Sequence, residues 1–116
     1  MAVHYLHLHK EPFEYIRSGM KTIESRLLDE KRRTYNVGDD LVFINRADER
    51  ELIETTITHL HKKRSFRDLF LSEDTKGKFS TDSLDRLLDG IALYYSKEDE
   101  ERYGVVGIEF AVNDTE

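Results

Sequence analysis

The chain has no cysteine in its 116 residues. Disulfides, thiolate metal sites and cysteine nucleophiles are therefore excluded, and a cytosolic location is expected. Long apolar runs are missing too. No stretch approaches the roughly 20 residues that a membrane span needs, and MAVHYLHLHK at the start lacks the apolar centre of a signal peptide. Internal repeats, linkers and low-complexity segments are absent, as are a glycine-rich phosphate loop, a nucleophile elbow and a zinc-hydrolase helix motif. Neither a cofactor nor a metal is expected. Proline occurs once, at Pro12, where the first turn of a helix tolerates it.

What is present is a polar composition, 38% apolar and 36% charged, whose apolar residues fall in periodic clusters. That pattern predicts one folded domain spanning residues 1–116. The net charge of −6 disfavours sequence-blind binding to nucleic acid by the protein as a whole. The charge is unevenly spread, however. Six Lys or Arg lie between Arg17 and Arg33 against Glu24, Asp29 and Glu30, and HKKRSFR at 61–67 adds four more without an acid. The acids concentrate later, above all in KEDEER at 97–102. Such a distribution suits one anionic ligand site, and equally a set of solvated loops and strand edges.

Val3 to Leu8 has strand composition, and PFEYIRSG at 12–19 reads as a short helix closed by Gly19. KTIESRLL alternates, with Ile23 and Ser25 on one face and Thr22, Glu24 and Arg26 on the other. LVFIN at 41–45 follows a turn as a buried strand, and a long strand runs from about Leu52 to His61. SFRDLFL and SKEDEERYG predict helices begun by serine caps, TDSLDRLLDGI predicts an amphipathic helix with Leu84, Leu87, Leu88 and Ile91 in one stripe, and VVGIEFAV predicts a closing strand. Strands without regular alternation with helices predict a mixed, largely antiparallel sheet, curled into a small α+β barrel with a cleft at its ends.

Gly19, Lys21, Glu24 and Arg26 form a G-x-K-x-x-E-x-R pattern that resembles the signature of ASCH domains, members of the PUA-like superfamily. Pro12-Phe13 with Ile16, Gly38-Asp39 before LVFIN, and YGVVGIEF are similar to the family's first helix, a following strand and the closing strand, in the right order. The resemblance implies a PUA-like β-barrel of five or six strands with short helices, and a cleft containing the signature residues. It implies an RNA, nucleotide or nucleoside ligand. It also implies an alternative, hydrolysis of a modified nucleoside such as N4-acetylcytidine, or of RNA phosphodiesters. In the family's deacetylases a lysine matching Lys21 works with a threonine at the position of Glu24, so the hydroxyl nucleophile is replaced here by a carboxylate. Thr22 is the nearby hydroxyl sharing the face of Glu24.

Arg26 offers a planar donor fork to a phosphate or a base edge, and Lys21 adds a second positive charge. Glu24 can accept from an exocyclic amine or act as a base on water, which makes Lys21 and Glu24 the catalytic candidates. The alternative is an ion pair that serves geometry only. Lys31 and Arg32, in the loop after this strand, suit phosphate contacts. Of the adjacent Tyr94 and Tyr95, one is expected in the core and one in the cleft as a stacking platform, with Tyr95 favoured for the cleft. His7 with His9, and His59 with His61, stand at strand spacing and would form a metal site only if their strands were neighbours.

Overall fold

The computed structural model of the chain describes residues 1–80 and 82–113. Five strands and four helices run in the order β1 (Val3–Leu8), α1 (Lys10–Arg17), β2 (Ile23–Leu27), β3 (Asp40–Asn45), β4 (Leu52–Lys63), α2 (Phe66–Leu71), α3 (Leu84–Ala92), α4 (Lys97–Tyr103) and β5 (Val105–Val112). One 3₁₀ turn, Arg32–Thr34, interrupts the loop after β2. Thr81, where the sequence pattern begins its third helix, lies outside the described residues, as do positions 114–116 of the expected domain. Among the described residues no helix is long and apolar enough to cross a membrane.

The strands form one sheet in the order β1-β3-β4-β5-β2. Only β1 and β3 pair in parallel; the other three pairings are antiparallel. The largely antiparallel curl expected from the sequence is present as a half-barrel. Among the described residues its edge strands, β1 and β2, do not pair with each other. The helix that joins those two edges fills the space near them: Phe13 and Ile16 of α1 are completely buried with Leu6, Leu8, Phe43 and Ile108 in the first core. This helix begins at Lys10, two residues before Pro12, and is followed by Gly19 at a left-handed φ of 84°. That conformation strains any residue with a Cβ, which is why glycine turns the chain toward β2.

Register decides which side of the sheet each signature residue occupies. Glu24 stands opposite Ile108 and Arg26 opposite Val106, and both apolar partners belong to the first core. Ile23 and Leu27, on the other face, enter a second core with Phe66, Leu69 and Phe79 under the helices. Charged side chains therefore point into the mouth of the half-barrel, while the alternate positions of the same strand anchor it from behind. The three serines beginning the later helices, Ser65, Ser83 and Ser96, each accept a hydrogen bond from the backbone N–H three residues on, as N-caps do. The segment before β2 is held separately: the backbone N–H groups of Thr22 and Ile23 both donate to the carbonyl of Lys78.

The second core reaches the sheet most closely at Gly107. A Cβ there would lie 2.8 Å from Leu69 Cδ1 and 3.0 Å from Ile23 Cγ2. We expect Gly107→Ala to cost about 1–3 kcal/mol through overpacking, measured by urea unfolding. A loss below about 0.5 kcal/mol would show that α2 and β2 are not wedged at this point.

Candidate functional site

A cavity of about 310 Å³ opens where the two edge strands stand apart. Its walls come from His7, Leu8 and His9 at the end of β1, from Lys21, Glu24, Ser25 and Arg26 on and before β2, and from α3 with the tyrosines that follow it. Pro12 and Arg46 complete the rim, and Phe70 and Phe79 give it an apolar side.

Glu24 is the centre of the charged wall, its side chain only 7% exposed. Oε1 lies 3.0 Å from Lys21 Nζ, and Oε2 accepts a 2.9 Å hydrogen bond from Arg26 Nε. Burial alone would raise the pKa of this carboxyl. The charges of Lys21 and Arg26, with the hydrogen bonds from both, outweigh burial and hold it below its ordinary value. For Arg26 burial favours loss of the proton, and Glu24 reverses that effect, so the guanidinium stays charged. The chemical consequence is directional. With both oxygens engaged and its pKa lowered, Glu24 is a fixed acceptor and a weak base. Arg26 spends Nε on Glu24, and among the described residues neither of its η nitrogens has a hydrogen-bond partner. A planar pair of donors is thus oriented by the carboxylate and left available.

The other predicted residues separate. Lys31 is exposed, and Arg32 is tied to Asp29 Oδ2 at 3.3 Å; neither borders the cavity. The loop carrying them turns away because Leu28 and Tyr35, at its two ends, are drawn into the first core. Both tyrosines border the cavity, with exposures opposite to the expectation. Tyr94 is 64% exposed and faces the His9 ring at 6.0 Å. Tyr95 is half-buried and stacks on Phe66 with centroids 5.4 Å apart. The cause is where α3 ends: the Tyr95 N–H still donates to Ile91, which continues the helical register and folds that ring back onto the second core. Of the two hydroxyls beside Glu24, Ser25 borders the cavity and Thr22 does not.

His7 on β1 is separated by β3 from His59 and His61 on β4, and His9 lies beyond β1 as the N-cap of α1. His7 pairs with Glu49 at 3.3 Å. His61 pairs with Glu109 at 2.7 Å and with Asp74 at 3.3 Å. Among the described residues no cluster of three or more His, Asp or Glu is arranged to hold a metal ion.

Sequence reasoning missed Arg46, Asp82, Arg86, Gly90 and the placement of His9 at this cavity. Arg46 follows β3 and His9 precedes α1, whereas Asp82, Arg86 and Gly90 belong to the single segment that leads into and forms α3. Helical spacing relates Arg86 to Gly90, but no local spacing joins that segment to Arg46, His9 or the strand carrying Glu24.

The buried ion pairs have a measurable consequence. Because the Glu24 carboxyl titrates below its ordinary value of 4.5, its pairing contributes stability that is complete above that value. That contribution is lost as pH falls through the lower, folded-state value. Glu24→Gln, which leaves two buried cations uncompensated, is expected to cost about 3–5 kcal/mol at neutral pH. Urea unfolding at several pH values should find the gap between variant and wild type closing on acidification. A gap that stays constant would mean that the carboxylate is not what the two cations require.

Solved structures reproduce this architecture. Hypothetical protein PH0355 aligns with a TM-score of 0.79 and 28% identity over 97% of this chain and all of its own. Protein PF0455 from Pyrococcus furiosus gives 0.73 and 28% over 99% of this chain and all of its own. At 15% identity, an ASCH domain from Lactobacillus crispatus shares the fold, with a TM-score of 0.65 over 96% of this chain and 79% of its own. None of the curated proteins matches the chain. The ASCH domain model matches residues 6–113, nearly the whole length, and the chain belongs to the ASCH domain family.

Proposed function

We propose that this ASCH domain binds RNA, or a nucleotide or nucleoside related to it, in the cavity between β1 and β2. The observation that carries the reading is the charge lining that cavity. Lys21, Arg26, Arg46 and Arg86 border it against only two carboxylates, Glu24 and Asp82, in a protein whose net charge is −6. A concave site that reverses the sign of the whole molecule attracts an anion that the remaining surface repels. Its polar groups suit a base edge: the free η nitrogens of Arg26 donate and the Glu24 carboxylate accepts. Phe70, Phe79 and Tyr95 supply apolar surface for the ring. A cytosolic setting, in agreement with the lack of cysteine, would supply such ligands.

Hydrolysis is the second reading, with Glu24 as base and Lys21 steadying developing negative charge. It is less favoured because Glu24 is held by two cations and would have to leave one of them to take a proton.

Arg26→Lys tests the binding reading with little disturbance of charge. Lysine can keep the contact to Glu24 but cannot also present a second donor pair. Affinity for the best ligand among ribonucleosides, nucleotides and short RNAs is expected to fall at least tenfold by calorimetry, a loss of about 1.4 kcal/mol or more. Wild-type protein that binds none of these at low salt, or a variant that binds as tightly, would reject the assignment. Turnover of acetylated cytidine or RNA that is lost in Glu24→Gln would replace it with the hydrolytic reading.

A further inference from the structure

Gly90 stands in the interior of α3 without any structural need for glycine. Its backbone has no positive φ. Apart from its chain neighbours and the helix's own backbone, no atom of the described residues comes within 4 Å of where a Cβ would sit. Glycine is the poorest helix former after proline, so α3 gives up stability here for neither turn geometry nor close packing. Gly90 does border the cavity. A bare stretch of helix backbone beside a cavity is what the close approach of a ligand requires.

The neighbours of Gly90 on the same helical row extend this reading. Arg86 precedes it by four residues and Tyr94 follows by four, so the three fall on one face. The helical path continues as far as Tyr94, whose N–H donates to Ile91. Arg46 rises from the β1 side of the cavity, fixed by its own N–H donating to the Leu8 carbonyl at the end of β1. Arg17, Arg26, Arg32 and Arg50 each have a carboxylate within 4 Å. Among the described residues Arg33, Arg46, Arg64, Arg67, Arg86 and Arg102 have none, and of these only Arg46 and Arg86 border the cavity. Among the described residues Asp82 is the carboxylate that borders the cavity besides Glu24, and His7 is engaged by Glu49.

We infer that the cavity takes a phosphorylated nucleotide, with its base toward Lys21, Glu24 and Arg26, its sugar over Gly90 and its phosphate between Arg46 and Arg86. This rests on the binding function proposed above and adds the phosphate and the role of α3. Two exposed arginines on opposite walls hold a phosphate by charge and by fork geometry. Tyr94, its ring 6.0 Å from that of His9, borders the same cavity. The phosphate can belong to a free nucleotide or to one residue of an RNA strand, which present the same chemistry to these side chains.

The test is calorimetric titration of the full chain with the four ribonucleosides, their 5′-monophosphates and a mixed-sequence RNA hexamer. Wild type should bind at least one monophosphate tenfold or more tightly than its nucleoside, and the doubly substituted Arg46→Ala, Arg86→Ala protein should bring that ratio close to one. Gly90→Ala should raise Tm by roughly 2–6 °C while weakening monophosphate binding at least tenfold. A glycine with no part in binding would give the first effect without the second. A hexamer bound no tighter than the monophosphate identifies the free nucleotide as the source, and a further tenfold gain identifies a strand. The inference is overturned if nucleosides bind as tightly as monophosphates, or if Gly90→Ala stabilises the protein and leaves binding intact. Absence of all binding, or binding indifferent to Arg26, overturns the underlying function as well.

Discussion

Everything at this site depends on one buried carboxylate. Glu24 has a cation on each oxygen, and without it Lys21 and Arg26 would face each other as two desolvated positive charges. With it, the three side chains form a rigid unit whose net charge is positive and whose remaining donors belong to Arg26. The rest of the fold can be understood as the means of holding Glu24 there. Gly19 turns the chain into β2, the Lys78 carbonyl pins the segment that carries Lys21, and pairing with β5 sets the register. Gly107 admits Leu69 and Ile23 close behind the strand.

The half-barrel converts this local arrangement into a site. A fully paired barrel would leave no gap between β1 and β2, and its interior would be packed with side chains. Here the edges stand apart, α1 buries Phe13 and Ile16 beside them, and α3 lies along the opening without a fully buried residue of its own. Lightly anchored elements of this kind border ligand sites because they can adjust at small cost. The basic run at Lys62–Arg67 is a different surface, open and partly neutralised by Asp68 and Asp74. Its charge does not converge on an apolar wall as the cavity's does.

Much of this was legible in the sequence, for reasons that differ from residue to residue. The strand around Glu24 shows its two faces through plain alternation, and Ser65 and Ser96 mark helix starts through local chemistry. The spacing of Lys21, Glu24 and Arg26 carries the family resemblance. What could not be read depends on contacts between distant segments. Arg46 and Arg86 meet the same cavity from β1's neighbour and from α3, forty residues apart, and neither neighbourhood hints at the other. The roles of Tyr94 and Tyr95 turn on the residue at which α3 ends, which periodicity fixes least well. Lys31 and Arg32 looked like companions of Arg26 because they follow it closely, yet the burial of Leu28 and Tyr35 turns their loop away.

The most direct measurement is a two-dimensional amide NMR titration of the wild-type protein with ribonucleoside monophosphates and a short RNA. Ligand-dependent shifts are expected to centre on Lys21, Glu24, Arg26 and Gly90, which border one cavity. Shifts confined to Lys31–Arg33 or to Lys62–Arg67, with the Glu24 region unmoved, would contradict this placement of the site.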